Sequence, residues 1–508
     1  MKVSVTPELS LDEGSSFAGG LGVLEGDKFY AAARLGIDYT VITLFYRRGY
    51  VDYAFSNGMA VPADSPYPER FLKQMSEKPG SVSIAGRQVE TSYRVFEKGT
   101  AKAVFVDVSS PAWARRLNEH LYEHTDTDLS FNRYVLLAEG ALDYLSRYGR
   151  DVDCIDMQEA YTTLIAISPN LNRLPGTKLR FIIHTPGPWG HPSFPCRYFR
   201  QQYGYDFLYD RVFLTDLGLA RAEQVFCVSR KHHAITQRVM PHFAGKIGYV
   251  TNGIEIPRWT AGETGNVKAK DFAQFKDRNR KELLRHAGIK RDGMVLAWNR
   301  RIVTYKRPDF ILRYIRENRN NELLFILAGK AHPQDLVNRE VMEEFHQLAK
   351  ENDNVFYTPG YDVGLSRKIV KGADVMVFTP FSGWESSGTS FMKGMANGTP
   401  PITSRDGSVV EFVRDGYNGW LFGKDLRDLV QFDSREGLEI SRKDYREFSS
   451  KMNRVVEMWS KKRDAFDEIA LNAMRTPGFD MDRVMKAYFP DVAGQDEGAH
   501  GKRGRQAG

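Results

Sequence analysis

Cysteine is scarce: three residues, Cys154, Cys196 and Cys227, are spread through 508. An odd, widely spaced set excludes a disulfide framework and points to a reducing compartment. No two of them form a C-x-x-C pair, so the sequence predicts no structural zinc and no metal centre. Long apolar runs are also missing. No stretch reaches the eighteen or so consecutive apolar residues of a membrane span, and "MKVSVTPELSL" at the N-terminus lacks the apolar core of a secretory signal. The expectation is a cytoplasmic chain without membrane partners. Charge of one sign is nearly balanced, with 71 Lys and Arg against 64 Asp and Glu and a formal net charge of +7. Nucleic-acid binding requires a clustered basic face. Only the tail "GKRGRQAG" is locally basic, which predicts a disordered end and no nucleic-acid partner. Internal repeats and low-complexity segments are absent too.

What is present is enough chain for two cores. In the first half, "DKFYAAARLG" reads as helix and "TVITLFY" as strand. Ser81 to Val108 reads as a β-meander, Asp128 to Gly149 as a long amphipathic helix, and "KLRFIIHTPG" and "QVFCVS" as short apolar strands. In the second half "MVLAWNRR", "ELLFILAGK", "NVFYTPGY" and "DVMVFTP" are apolar strands separated by helical patterns. That alternation predicts an α/β fold with a parallel sheet and helices on both faces. Gly and Pro punctuation in "TNGIEIPRWTAGETGN" places the boundary there. The resulting division is an N-terminal domain over 1–258, a C-terminal domain with terminal helices over 259–492, and a disordered tail over 493–508. The packing of the last helices is not fixed by their pattern.

Four constellations carry chemistry. "AGGLGVLEGD" precedes a helix, and its glycines let backbone N–H groups approach a ligand, although it is neither a dinucleotide fingerprint nor a Walker loop. "WNRRIVTYKRPDF" sets Arg300, Arg301, Lys306 and Arg307 after an apolar strand. At a strand C-terminus such cations face the crevice and suit phosphate; the plainer alternative is a solvated loop. "IIHTPGPWGHPSFP" is a proline-stiffened loop with two histidines, whose spacing fits structural packing better than zinc. The fourth is "GWESSGTSFMKGMANG". Its small residues open a helix and offer N–H groups to an anion, and Lys393 follows one turn further in. A desolvated lysine has a lowered pKa and a free amine, as a Schiff base with pyridoxal phosphate requires. A snorkelling lysine at a helix start is the alternative.

These segments lie in one order along the chain: "SSFAGGLGVLEGDKFYAAARLGI", "LFYRRGY", "HTPGPWGHPSF", "VSRKHH", "VTNGIEIPRWT", "RRIVTYKRPDFIL", "ILAGKAHP" and "ESSGTSFMKGMANG". In that order they resemble the α-glucan (glycogen, starch or maltodextrin) phosphorylases of the short microbial type. The resemblance implies two Rossmann-like domains facing across a cleft, the GT-B arrangement. It implies a transfer of glucosyl units from an α-1,4-glucan to inorganic phosphate, giving α-glucose 1-phosphate with retention. Pyridoxal 5′-phosphate would be the cofactor, its 5′-phosphate exchanging a proton with the substrate phosphate. Carried onto this chain, Lys393 matches the cofactor lysine, and Gly388 and Thr389 the cradle of its phosphate, with Arg300 and Tyr361 on the same side. Arg301 and Lys306 match the pair holding substrate phosphate, and Glu385 the carboxylate on sugar hydroxyls. His184 matches the histidine whose carbonyl faces the glucosyl carbon. Gly20, Leu21 and Gly22 match the glycine loop over sugar and phosphate; Asn252 and Glu159 join the sugar side.

There are departures. "DMQEAYTTLIAI" replaces an Asn-Glu-Gly-His run and keeps only its glutamate, and Ser386 and Phe391 stand where the family often has smaller residues. After Gly398 the chain reads more like a retaining nucleotide-sugar glucan synthase. Such a synthase, with the same fold and no pyridoxal phosphate, is the alternative enzyme. A glucan-binding scaffold is the non-enzymatic one, opposed by the joint presence of Arg301, Lys306 and Glu385. The sequence does not fix glucan length, direction, effectors or assembly, a homo-oligomer included.

Overall fold

The computed structural model describes residues 1–123, 126–260, 264, 267–318 and 322–492. The expected tail over 493–508 and part of the expected boundary segment lie outside the described residues. Two sheets organise the chain. The first has nine strands: β1 (Lys2–Val5), β2 (Tyr39–Leu44), β3 (Ser76–Ile84), β4 (Arg87–Lys98), β5 (Ala101–Ser110), β6 (Cys154–Gln158), β7 (Lys178–Ile183), β8 (Gln224–Cys227) and β9 (Ile247–Tyr249). Their order is β9-β8-β7-β6-β1-β2-β5-β4-β3, parallel except for the β3–β4–β5 meander on one edge. The second has six parallel strands: β10 (Met294–Asn299), β11 (Leu323–Ala328), β12 (Val355–Thr358), β13 (Val375–Phe378), β14 (Pro401–Ser404) and β15 (Trp420–Phe422). Their order is β12-β11-β10-β13-β14-β15.

The second order is that of a doubly wound dinucleotide-type sheet, with its reversal between β10 and β13. β10, β11 and β13 are buried along their whole length, as expected for strands covered on both faces. In the first sheet the reversal lies beside β1, whose neighbours are β6 and β2. Ligand crevices open at the carboxyl ends of strands flanking such reversals. The loops that matter therefore follow β1, β6 and β7 in one half, and β10 and β13 in the other.

The glycine loop differs from its expected shape. The helix expected from Asp27 starts at Gly20 and runs to Leu35. A Cβ at Gly26 would lie 2.0 Å from the Ser10 carbonyl oxygen, and one at Gly22 would lie 2.7 Å from Phe17. These two glycines let the helix sit directly on the segment that follows β1. Close packing overrides their poor helix propensity.

Two elements cross between the halves. The hairpin Asp52–Ser56/Met59–Ala63 reaches the second half, where the Phe55 ring stacks on His346 at 3.8 Å and Arg339 donates to the Ala60 carbonyl at 2.7 Å. The last helix, Met481–Tyr488, returns to the first half. Met481, Val484, Met485, Tyr488 and Phe489 are buried with Leu24, Phe29, Tyr39 and Val41. This corrects the expected division: the chain near 481–489 packs with the N-terminal sheet, because its apolar stripe completes the layer over that sheet.

Arg307 is a second correction. It does not face the cleft. It takes a left-handed conformation at φ +50° and turns inward, donating to the Thr379 and Pro380 carbonyls at 2.7 and 2.9 Å and to Asp444 at 2.8 Å. Both members of the Arg307–Asp444 pair are buried. Asp444→Ala would leave an unpaired buried guanidinium. The expected loss is about 3–5 kcal/mol of stability, read as a lowered midpoint in denaturant unfolding.

Candidate functional site

The loops after β10 and β13 meet at the reversal of the second sheet. Arg300 donates to Glu385 Oε2 at 2.9 Å, and Lys306 Nζ lies 3.6 Å from the same oxygen. The Arg300 guanidinium also stacks on the Phe378 ring at 3.7 Å. Burial works to raise the Glu385 pKa, but Lys306 and Arg300 outweigh it and hold the carboxylate below its usual range. Burial pushes the Lys306 ammonium down to about 7; Glu385 opposes this, and Arg300 and Arg301 add like-charge repulsion. Arg301 has no ion-pair partner among the described residues, and its Nε is buried without a hydrogen bond, as is Arg300 Nη1. A Cβ on Gly19 would stand 4.0 Å from the Arg301 guanidinium, so Arg301 reaches the first half of the chain.

The Glu385 loop is fixed from behind. Asp406 accepts from the N–H groups of Gly383, Glu385 and Gly407 at 2.7, 2.8 and 2.8 Å. Burial pushes Asp406 up to about 6, against these bonds and the nearby Lys231. Lys231 comes from the first half and binds Ser382, the Arg405 carbonyl and Asp425 at 2.6–2.7 Å. The second sheet's loop is thus tied to the first domain.

Lys393 lies on the short helix Ser390–Met395 and is buried. Its ammonium sits 3.9 Å from the centre of the Trp259 ring. No carboxylate is within ion-pair distance among the described residues. The nearby Asp27 already binds Arg258 and the Trp259 indole N–H. Burial pushes the amine down to about 7, only partly opposed by Asp27. Lys393 lines a cavity of about 160 Å³ together with Asn299, Arg300, Arg301, Tyr361 and Thr389. Tyr361 is held by Asn299 at 3.0 Å and Ser366 at 2.9 Å. Gly388 borders this cavity and a larger one; a Cβ there would fall 2.7 Å from Glu385 Oε1.

The larger cavity, about 1130 Å³, runs between the two halves and is shared by Arg301, Lys306, Glu385, His184, Glu159 and Asn252. His184 follows β7; its N–H donates to Glu159 Oε1 at 2.8 Å and its ring Nε2 meets Gln158 Oε1 at 2.7 Å. Burial holds its pKa well below the usual histidine range, so the ring is neutral. Asn252 donates to the Ser387 carbonyl at 3.4 Å, bridging the halves as well as lining the cavity. Gly20 and Leu21 line it, but Gly22 lines neither cavity and serves the helix packing described above.

Glu8 was not legible as a site residue. It follows β1, and its carboxylate accepts from Ala18 N–H at 2.5 Å and Gly19 N–H at 3.2 Å. The loop's Ala18 and Gly19 N–H groups are thus taken by a protein carboxylate, just before the Gly20 and Leu21 that line the cavity. Trp259, the ring under Lys393, was also missed as a site residue. Among the described residues no group of three His, Cys, Asp or Glu is arranged to hold a metal ion, and no helix is long and apolar enough to cross a membrane.

With this geometry in hand, the relatives are informative. Residues 279–432 match the family described as glycosyl transferases group 1. The chain is 26% identical to the maltodextrin phosphorylase of Thermococcus litoralis, over 80% of this chain and 60% of that enzyme. It is 23% identical to the glycogen phosphorylase of Aquifex aeolicus, over 80% of this chain and 73% of that one. The catalytic domain of starch synthase IV from Arabidopsis thaliana, solved with ADP and acarbose, superposes with a TM-score of 0.76 at 17% identity, covering 97% of this chain and 98% of that one. The fold is GT-B, and in sequence the chain is similar to glucan phosphorylases, while in fold it is similar to a starch synthase. It spans three-fifths of the length of the Thermococcus enzyme.

Glu159 gives a test of the site's electrostatics. It sits at φ +66°, a strained conformation for a side-chain-bearing residue, and its Oε2 is buried with no hydrogen-bond partner. Burial pushes its pKa from 4.5 up to about 8, against the hydrogen bond from the His184 N–H. A carboxyl raised in the folded state favours folding below its unfolded value, and that contribution is lost as pH rises towards the folded one. Glu159→Gln should therefore stabilise the fold by roughly 2–4 kcal/mol at pH 8 and by little at pH 4.5. Thermal unfolding of both proteins across that range measures it.

Proposed function

We propose that this chain is an α-1,4-glucan phosphorylase that moves a terminal glucosyl unit onto inorganic phosphate to give α-glucose 1-phosphate with retention. The observation that carries the reading is Lys393: a buried amine with no carboxylate partner among the described residues, sharing a small cavity with Arg300, Arg301 and Thr389. That donor set suits pyridoxal phosphate. Lys393 would hold its aldehyde carbon, while Gly388 and Thr389, with the free Nη1 of Arg300, would meet its phosphate. Bound there, the group supplies a phosphate able to exchange a proton with inorganic phosphate.

The remaining roles fall to the protein. Arg301 and Lys306 hold inorganic phosphate against its charge repulsion. A proton passes from that phosphate to the leaving glycosidic oxygen, the C1–O bond breaks, and a phosphate oxygen bonds to C1 on the same face. Glu385, kept ionised by Arg300 and Lys306, accepts from sugar hydroxyls. Gln158 and Glu159 fix His184 so that its backbone borders the sugar site. Closure of the two domains excludes water, which would otherwise take the glucosyl unit.

A second reading is a retaining nucleotide-sugar glucan synthase, favoured by the group 1 glycosyltransferase match over 279–432. Such an enzyme has no use for a buried lysine amine beside the phosphate cations. Donor choice separates the two. Glucose 1-phosphate should extend a maltooligosaccharide primer with release of phosphate, while UDP-glucose and ADP-glucose should not. Chain growth and released product are measured for each donor. Efficient growth from a nucleotide sugar alone selects the synthase.

A further inference from the structure

One feature of the large cavity is not used by this chemistry. The indole of Trp189 lies nearly parallel to two rings from the other half of the chain: Tyr305, centroids 5.7 Å apart at 22°, and Trp384, 5.1 Å apart at 24°. Trp384 is buried, anchored by its N–H on the Val430 carbonyl at 2.7 Å and packed edge-on against Phe432. Trp189 remains 43% exposed and borders the cavity. Its loop is stiffened by Pro186 and Pro188, and its carbonyl accepts from the Tyr161 hydroxyl at 2.8 Å. A Cβ on Gly187 would fall 2.8 Å from both indole rings, so glycine is what lets the two tryptophans close on each other.

A large, rigid, half-exposed indole in a cavity is an unusual surface residue. Desolvating its open part requires a ligand with a flat apolar face and polar edges. A pyranose ring has that form: its axial C–H bonds present weak positive charge to a π face, and its hydroxyls point sideways. The side chains bordering the same cavity, among them Ser130, Arg211, Gln334 and Asp335, are suited to hydroxyls. Position also matters. Tyr305 directly precedes Lys306, and Trp384 directly precedes Glu385. The platform is therefore bonded through the backbone to the phosphate cation and to the sugar carboxylate.

We infer that Trp189, propped by Tyr305 and Trp384, is a stacking platform for a glucose unit of the glucan beyond the bond being cleaved. The inference rests on the glucan reading above. A sugar on this platform would touch an aromatic assembly drawn from both domains, so long chains would favour the closed cleft more than short ones.

The test is direct binding of maltoheptaose to the full-length protein without phosphate, by calorimetry, for the parent, Trp189→Ala and Trp189→Phe. The expected result is a loss on the order of tenfold in Trp189→Ala, with most of the affinity regained in Trp189→Phe, which keeps a flat ring. Affinity for glucose 1-phosphate should change little in either variant. Trp189→Ala binding maltoheptaose as tightly as the parent overturns the platform, and so does an equal loss in both variants. A parent protein that binds no maltooligosaccharide overturns the glucan reading itself.

Discussion

The structure turns on one contact, the Glu385 carboxylate held by Arg300 at 2.9 Å and by Lys306 at 3.6 Å. One acid is bonded to one cation and lies within ion-pair distance of a second, while Arg301 acts on it only through space. Arg300, Arg301 and Lys306 thus outnumber this acid in the cleft, and among the described residues Arg301 has no ion-pair partner and Arg300 Nη1 no hydrogen bond. Such an excess is costly unless anions fill it. The pKa values follow from burial and this crowding of charge. Lys306 and Lys393 are both pushed down to about 7 by burial, while Glu385 is kept ionised.

Architecture makes that concentration of charge attainable. The cations follow β10 and the carboxylate follows β13, the two strands flanking the reversal of the second sheet. Glu8, Glu159 and His184 follow β1, β6 and β7 in the first. The halves are then fastened around the cleft. Lys231 reaches across to Asp425 and the Asp406 loop, Asn252 to Ser387, the hairpin bearing Phe55 to His346, and the last helix back to the N-terminal sheet. Residues far apart in sequence therefore hold Glu385 and its cations in register.

Much of this was legible in the chain. The apolar runs of β10, β11 and β13 have the composition of doubly covered strands, and the positions of Arg300, Arg301 and Glu385 follow from the rule for strand ends. The ordered motifs singled out Lys393, which lines the small cavity, and His184, which lines the large one; Glu385 and Gly388 border both. Other features were hidden for physical reasons. β1 is four residues long with a buried serine, and the Ser4 hydroxyl is satisfied by donating to Glu25 at 2.6 Å and accepting from Gln158 at 3.0 Å, contacts with no local sequence signature. β6 carries Asp156, paired with Arg180 from the neighbouring strand, so polarity disguised a central strand. The glycines of "AGGLGVLEG" suggested a ligand loop, yet Gly22 and Gly26 answer to helix packing and the Ala18 and Gly19 N–H groups to Glu8. Arg307 shares its segment with Arg301 and Lys306 and is separated from them only by its left-handed backbone and its buried partner Asp444.

The central claim is that the positive, lysine-bearing cavity behind Glu385 belongs to pyridoxal phosphate. The most direct measurement is the absorbance spectrum of the purified chain, followed by borohydride reduction and peptide mass mapping. The account predicts one cofactor per chain, with the reduced pyridoxyl phosphate found on the peptide that contains Lys393. A protein that neither carries nor takes up pyridoxal phosphate, or that is labelled at exposed lysines while Lys393 stays unmodified, would contradict it.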